Sequence, residues 1–305
     1  MNKKTLQGML LLFIATWAWG VAFVAQSVST GYMNAFAFNC IRNFIGAAVL
    51  VPVIFLRNRK SVKSKEAKFT FASGSKTLLL GGIVCGAALF ISANFQQLGI
   101  EYSTVGKSAF ITTLYIVFVP ILGIFLRKKV PFRTWIGVIL ALIGLYLLCM
   151  KNEAFVLGLG DIYLLLCAFF YSIQILLVDH FAQKTNPIKL SALEFLFCGI
   201  FSGLGMIVTE IPSWSNILGS AIPLLYAGVV STGIGFTFQV IGQKHVPATI
   251  ASLIMSLESV IAALAGWVLL HEILSTKEML GCGLVFMAII VTQLPTKNKK
   301  VTSSY

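Results

Sequence analysis

Ten apolar runs, each long enough to form a membrane-spanning helix, fill most of this 305-residue chain. A helix that crosses the hydrocarbon core of a bilayer needs about 20 apolar residues, because the backbone there must satisfy its own hydrogen bonds. We place the runs at residues 6–25, 35–56, 77–99, 104–126, 134–150, 157–178, 190–209, 220–242, 248–270 and 278–294. The sequence therefore predicts an all-α integral membrane protein with ten transmembrane helices.

The low content of charged residues excludes a water-soluble fold. Charged residues make up 11% of the chain, against roughly 25% in soluble domains. The formal net charge is +13, but the basic residues lie in short clusters between apolar runs and form no patch with interleaved aromatic residues. We therefore predict no nucleic-acid partner.

The basic clusters also predict how the chain is oriented. Lys3 and Lys4 precede the first run, and further clusters occur at 57–76 and 127–133. Cytoplasmic loops carry an excess of Lys and Arg, which places both termini in the cytoplasm. The first run has no pair of small residues at a cleavage site, so we predict a retained helix rather than a signal peptide.

The sequence contains no motif typical of an enzyme or a cofactor site. Each of the six cysteines lies within an apolar stretch without a close partner, which favours small apolar side chains over a disulfide framework or metal site. His180, His245 and His271 fall at predicted helix ends, and no phosphate-binding loop or nucleophile elbow occurs. We predict no catalytic residue, metal or cofactor, and no enzymatic activity.

The two halves of the chain resemble each other. A shift of 152 residues places Gly8, Trp19 and Arg42 on Gly160, Tyr171 and Glu194, and a shift of 143 places Gln96 and Gly99 on Gln239 and Gly242. Five helices are an odd number, so the two units, which we place at 1–150 and 151–305, must have opposite orientations. Inverted repeats of this kind are characteristic of transporters with a central substrate site.

Two sets of residues resemble motifs of the EamA-type drug/metabolite transporters. In the first half these are residues 99–110, followed by Val119-Pro120. In the second half they are Leu257-Glu258-Ser259-Val260, Gly266-Trp267, His271-Glu272 and Gly281. The resemblance covers about 6–294 and implies export of amino acids, metabolites or drugs, often driven by the proton gradient.

The chain departs from that family pattern at two places. Ser259 replaces a proline of the second motif, which puts the kink expected there in doubt. The first half has Arg127-Lys128-Lys129 where the acidic residue at Glu272 would recur. This feature of the repeat is therefore not symmetric.

Polar and aromatic side chains at equivalent positions are the candidates for solute binding. Ser108, Thr112 and Tyr115 share one helical face, and so do the equivalent residues Ser252, Ser256 and Ser259. The remaining candidates are Trp17, Trp19, Asn94, Gln97, Tyr171 and Gln239. The alternatives are hydroxyl groups that hold helices together and aromatic residues that only pack. The resemblance and the polar faces together predict a site lined by the first, third, fourth, sixth, eighth and ninth helices.

Three of the charged residues within the apolar runs are candidates for a functional or structural role. Glu258 is near the middle of the ninth run, where an ionised side chain costs roughly 2.5–3.5 kcal/mol, so it is either a proton-coupling group or a structural glutamate. Arg42 and Glu194 are repeat equivalents of opposite sign. We expect no direct pairing, with Arg42 snorkelling and Glu194 at the interface.

These observations predict a secondary transporter in the cell membrane. We expect it to export a small metabolite, amino acid or drug-like solute by alternating access, with the proton gradient as a candidate driving force. An uncoupled facilitator and a flippase for lipids or lipid-linked sugars remain alternatives with the same fold. The predicted partners are the solute and membrane lipids, with a homodimer left open.

Overall fold

A computed structural model describes residues 2–62, 73–128, 130–149, 158–270 and 275–293. Within these ranges the chain is helical apart from short turns and contains no strand. The prediction of an all-α fold is confirmed. The basic segment 63–72, His271, Glu272 and residues 294–305 lie outside the described residues.

The described part of the first half contains six helices. They are α1 (Lys3–Ser29), α2 (Ala35–Val62), α3 (Ser73–Glu101), α4 (Val105–Thr113), α5 (Tyr115–Phe125) and α6 (Phe132–Cys149). Thr104 caps α4 by accepting a hydrogen bond from the backbone N–H of Lys107.

The second half repeats this order with additional interruptions. Its helices are α7 (Leu159–Lys184), α8 (Pro187–Thr209), α9 (Trp214–Gly219), α10 (Ala221–Leu225), α11 (Thr237–Gln243), α12 (Ala248–Met255), α13 (Leu257–Leu270) and α14 (Thr276–Gln293). A π-helical segment, Tyr226–Phe236, joins α10 to α11. The short helix α9 was not predicted from the sequence.

Eight stretches of the described chain are long and apolar enough to cross a membrane. They are Lys3–Ser29, Ala35–Arg57, Lys76–Glu101, Val105–Phe125, Leu159–Lys184, Pro187–Thr209, Ala221–Gln243 and Ala248–Ala265. The two other predicted spans correspond to shorter apolar helices, Phe132–Leu147 and Met279–Thr292. The count of ten stays a prediction for these two.

Helix packing follows the repeat. Helix α3 packs against α7, and the equivalent pair consists of α1 with the π-helical segment and α11. Helices α2 and α8, which are equivalent to each other, pack together, and so do α6 and α14. Exchanging the two halves therefore leaves these main packed helix pairs unchanged, as a two-fold relation requires.

Two glycine pairs show the same relation at atomic scale. A Cβ atom at Gly8 would lie 2.9 Å from the carbonyl oxygen of Gly242, and a Cβ atom at Gly160 would lie 3.0 Å from that of Gly99. Since Gly8 is equivalent to Gly160 and Gly242 to Gly99, the two contacts occupy equivalent positions in the two repeats. Small residues at such positions allow helix backbones to approach closely.

The π-helical segment absorbs one inserted residue. A Cβ atom at Gly86 would lie 2.8 Å from the carbonyl oxygen of Glu194, and one at Gly228 would lie 3.2 Å from that of Arg42. The offset between these equivalent glycines is 228 minus 86, or 142, whereas Gly99 and Gly242 are 143 apart. A π-bulge is the usual result of a single insertion into an α-helix.

The fourth and ninth predicted spans are both broken near their middle. Leu114 separates α4 from α5, and Ser256 separates α12 from α13. The second break occurs without the family's proline at position 259, so Ser259 does not prevent the interruption. As a result Tyr115 and Glu258 each lie in the first turn of a second half-helix.

Candidate functional site

A central cavity lies between the two repeats, with an empty volume of about 440 Å³. Its aromatic lining comprises Trp19, Phe23, Tyr115, Tyr171 and Phe236. Its polar and charged lining comprises Gln26, Arg42, Gln96, Thr112, Gln174, Ser231, Gln239 and Glu258. Mostly apolar walls with a few converging polar groups are typical of a small-molecule site.

Glu258 connects the two repeats at the cavity wall. Its carboxyl Oε1 accepts a hydrogen bond of 3.0 Å from the hydroxyl group of Tyr115, and both side chains are buried. The ion pairs within the described chain are Lys107–Asp161 and Lys128–Asp179, so Glu258 has no described cationic partner. A buried carboxyl group without a counter-ion is a candidate for proton binding.

A chain of amide groups leads from the cavity to a second buried acid. Gln239 Nε2 donates to Gln174 Oε1 at 3.1 Å, and Gln174 Nε2 donates to Glu194 Oε1 at 2.7 Å. Glu194 itself is fully buried behind the cavity lining. The expectation of an interfacial Glu194 is therefore wrong.

Arg42 lies in the cavity wall with only 2% of its surface exposed. Its Nη1 donates to Gln26 Oε1 at 3.3 Å, and its Cζ lies 5.4 Å from the ring centroid of Phe38. The expectation that Arg42 snorkels to the membrane surface is wrong, because the helix packing around α2 encloses the guanidinium. It forms no ion pair with Glu194 within the described chain.

Six of the residues predicted from the sequence meet at the cavity. They are Trp19, Thr112, Tyr115, Tyr171, Gln239 and Glu258. Tyr171 donates from its hydroxyl to Gln96 Oε1 at 3.2 Å, and Trp19 Nε1 donates to the carbonyl oxygen of Ser231 at 3.3 Å.

The remaining predicted residues are placed elsewhere. Trp17 is 49% exposed on the outer surface of α1. Asn94 and Gln97 are buried and donate to Ser202 Oγ and to the carbonyl oxygen of Gln26.

The serine candidates lie within the helix packing. Ser252 and Ser256 donate to backbone carbonyl groups of their own helix, and Ser259 donates to Ala109 O and Thr113 Oγ1 at 3.1 Å. Ser108 is also buried. For Ser259 the structure shows the alternative reading, a hydroxyl group that joins two helices.

Sequence reasoning missed six polar or aromatic residues of the wall as site residues. They are Phe23, Gln26, Gln96, Gln174, Ser231 and Phe236. The repeat alignment held a signal for Gln96, since it is equivalent to Gln239. Helix α2, which supplies Arg42, was not among the helices expected to line the site.

No group of three or more His, Cys, Asp or Glu residues suited to a metal ion occurs in the part of the chain that the structure describes. The central cavity also has no set of basic groups for a phosphate-bearing cofactor, since Arg42 is the one cation in its lining. The arrangement can bind a small solute between the repeats.

A multi-span membrane protein with a polar and aromatic cavity between two inverted repeats has the architecture of a transporter. The profile of the EamA-like transporter family matches residues 6–150 and 158–294, and the chain belongs to this family. The lipid environment and a small-molecule solute follow from that membership.

Relatives and a solved structure resemble the chain over nearly its full length. An uncharacterized transporter of Archaeoglobus fulgidus is 29% identical, with 95% of this chain and 87% of the relative covered. The uncharacterized transporter YoaV of Bacillus subtilis is 24% identical, with 96% and 99% covered. A crystal structure with 19% identity matches with a TM-score of 0.76 over 94% of this chain and 96% of its own, which shows the shared two-repeat fold.

Proposed function

We propose that this protein is a proton-coupled secondary transporter that exports a small metabolite, amino acid or drug-like solute across the cell membrane. Both termini then lie in the cytoplasm, as the basic clusters of the sequence suggest. The single observation that carries the proposal is the buried Glu258 at the central cavity, bonded to Tyr115 of the other repeat.

The position of Glu258 supports coupling in a simple physical way. An ionised carboxylate inside a membrane protein is costly unless it is paired or hydrated. In an enclosed cavity the group favours its neutral form, and in an open cavity water stabilises its charge. A cycle of opening and closing therefore takes up a proton on one side and releases it on the other.

The bond between Tyr115 and Glu258 links this proton site to the repeats that must move. Alternating access involves rocking of one repeat against the other around the central site. A hydrogen bond between the repeats at the cavity wall changes with that movement. A change in the protonation state of Glu258 therefore alters a hydrogen bond that joins the two repeats.

Membership of a transporter family argues against an enzyme. The uncoupled facilitator and the lipid flippase share the same fold, and transport measurements separate them. We expect no ATP requirement, because the sequence holds no nucleotide-binding loop.

The test is solute counterflow in proteoliposomes with a pool of labelled amino acids and small metabolites. We expect the wild-type protein to exchange at least one solute and to accumulate it when a pH gradient is imposed. Glu258→Gln should abolish accumulation and retain exchange down a concentration gradient. Glu101→Gln, at the exposed end of α3, is the control and should behave as wild type.

Two outcomes contradict the proposal. Accumulation that survives in Glu258→Gln would make this residue structural. Exchange that ignores the pH gradient even in the wild-type protein would identify a facilitator. If only amphiphilic lipids moved, the flippase reading would replace export of a small solute.

A further inference from the structure

We propose that Arg42 binds a carboxylate group of the transported solute, so that the solute is a small organic acid or zwitterion with an apolar remainder. The inference deepens the proposed transport function and rests on it. Its starting point is a buried guanidinium in the cavity wall.

The charge of Arg42 is not compensated by the described protein. Buried charges in proteins are normally paired, because an isolated ion loses its hydration. No described carboxylate lies within 4.0 Å of the Arg42 nitrogens, and the two ion pairs involve Lys107 and Lys128. A negatively charged ligand in the cavity supplies the missing partner.

The hydrogen-bond donors of Arg42 are largely unused. Only Nη1 donates, to Gln26 Oε1 at 3.3 Å, and the buried Nε has no acceptor in the described chain. Nε and Nη2 form one edge of the guanidinium, and such an edge matches the two oxygens of a carboxylate. The main-chain carbonyl oxygen of Gln26 accepts a separate bond of 3.0 Å from Gln97 Nε2.

The neighbouring wall selects an organic anion rather than an inorganic one. The ring centroids of Trp19 and Phe236 are 4.8 Å apart, and Tyr171 stacks on Phe236 at 6.5 Å. These rings, with Phe23, surround the cavity beside Arg42. These aromatic rings make favourable contacts with an apolar or aromatic group of an organic anion. Chloride and phosphate have no such group.

The lining of the cavity determines the choice of probes. Its aromatic rings and the guanidinium of Arg42 call for small carboxylates that carry an apolar group. 3-Phenylpropionate therefore makes a suitable probe.

The experiment measures thermal unfolding of the purified full-length protein in detergent with matched pairs of compounds. The pairs are 3-phenylpropionate with 3-phenylpropionamide, phenylalanine with phenylalaninamide, and butyrate with butyramide, with sodium chloride as a separate arm. A ligand that binds only the folded state raises the unfolding temperature by an amount that increases with the ratio of its concentration to its Kd. We expect carboxylates to stabilise the wild-type protein and their amides to have no effect.

Two variants assign the effect to one side chain. Arg42→Lys keeps the charge and loses the planar fork, and we expect the apparent affinity for the carboxylate to fall by about tenfold or more. Arg57→Lys, on the same helix but exposed, should bind as wild type does. The unfolding temperature of Arg42→Lys without ligand shows whether the variant is folded.

Four results would overturn the proposal. They are stabilisation by the amides equal to that by the acids, no stabilisation by any carboxylate, an unchanged response in Arg42→Lys, and equal stabilisation by chloride. Carboxylate binding without any counterflow would refute transport and leave the Arg42 site intact. Counterflow restricted to solutes without an acidic group would refute the Arg42 site and leave transport intact.

Discussion

At the level of single residues, the bond between Tyr115 and Glu258 is the contact that, in the proposed mechanism, links protonation of Glu258 to movement of one repeat against the other. Both side chains are buried, and each comes from a different repeat. Removing one partner of a buried hydrogen bond leaves the other unsatisfied, which costs about 1–3 kcal/mol. The strength of this bond can therefore be measured without knowledge of the solute.

We expect a double-mutant cycle of Tyr115→Phe and Glu258→Leu, which removes the acceptor, to show a coupling free energy of about 1–3 kcal/mol. Each single substitution should lower the stability of the protein, and the second should cost less when the first is already present. Unfolding of the purified protein in detergent gives the values. Tyr102→Phe, at an exposed tyrosine, controls for loss of a hydroxyl group, and strictly additive effects at 115 and 258 would disprove the bond.

Residue-level prediction selected side chains of the cavity lining where the repeat supplied two copies of a position. Trp19 and Tyr171 are equivalent, and both line the cavity. It failed where a side chain's direction decides the outcome. Trp17 is only two residues from Trp19, yet the helical turn directs it outward.

The charged residues were harder to place than the aromatic residues. Distance from the predicted helix ends favoured snorkelling for Arg42 and an interfacial Glu194. In the structure, packing of α2 against α8 encloses both. Which face of a helix meets its neighbour depends on tertiary packing, and spacing along one sequence does not reveal it.

At the level of elements, glycine contacts set how closely the helices approach. A Cβ atom at Gly99 would lie 2.5 Å from Cγ of Leu164 and 3.0 Å from the carbonyl oxygen of Gly160. Both distances are shorter than ordinary contact, and a backbone atom cannot move aside easily. The α3–α7 pair therefore depends on glycine at this position.

We expect Gly99→Ala to destabilise the protein by about 1–3 kcal/mol, because overpacking forces helices apart. Thermal unfolding in detergent measures the effect. Gly106→Ala is the matched control, since a Cβ atom there would have no neighbour within 4 Å, and it should not lower stability. Equal stability of the two variants would contradict the close α3–α7 contact.

Element boundaries show how far the sequence could predict local structure. The apolar runs located the spans well, because lipid and core both favour apolar side chains. The interruptions at Leu114 and Ser256 were not predicted, since neither residue is a helix breaker. The offset between the two halves changes by one residue across the segment Tyr226–Phe236. The structure shows that a π-helical segment accommodates this change.

At the level of the whole molecule, both repeats line the central cavity, and the proposed alternating access requires that this cavity open to each side of the membrane in turn. The helices α6 and α14 pack on each other and contribute no described residue to the cavity lining. This agrees with their small content of polar residues. In the proposed mechanism the helices that surround the cavity are the ones that move.

The most direct test of alternating access is two-sided labelling of a cysteine placed in the cavity. Ser231→Cys would be introduced into a variant with the six native cysteines replaced, because Ser231 lines the cavity. Ser202→Cys is the control, since Ser202 is equally buried between α3 and α8 and is not part of the lining. A small membrane-impermeant thiol reagent would be added to either side of oriented vesicles. The account predicts that the cysteine at 231 reacts from both sides and the one at 202 from neither, whereas reaction at 231 from one side only would contradict it.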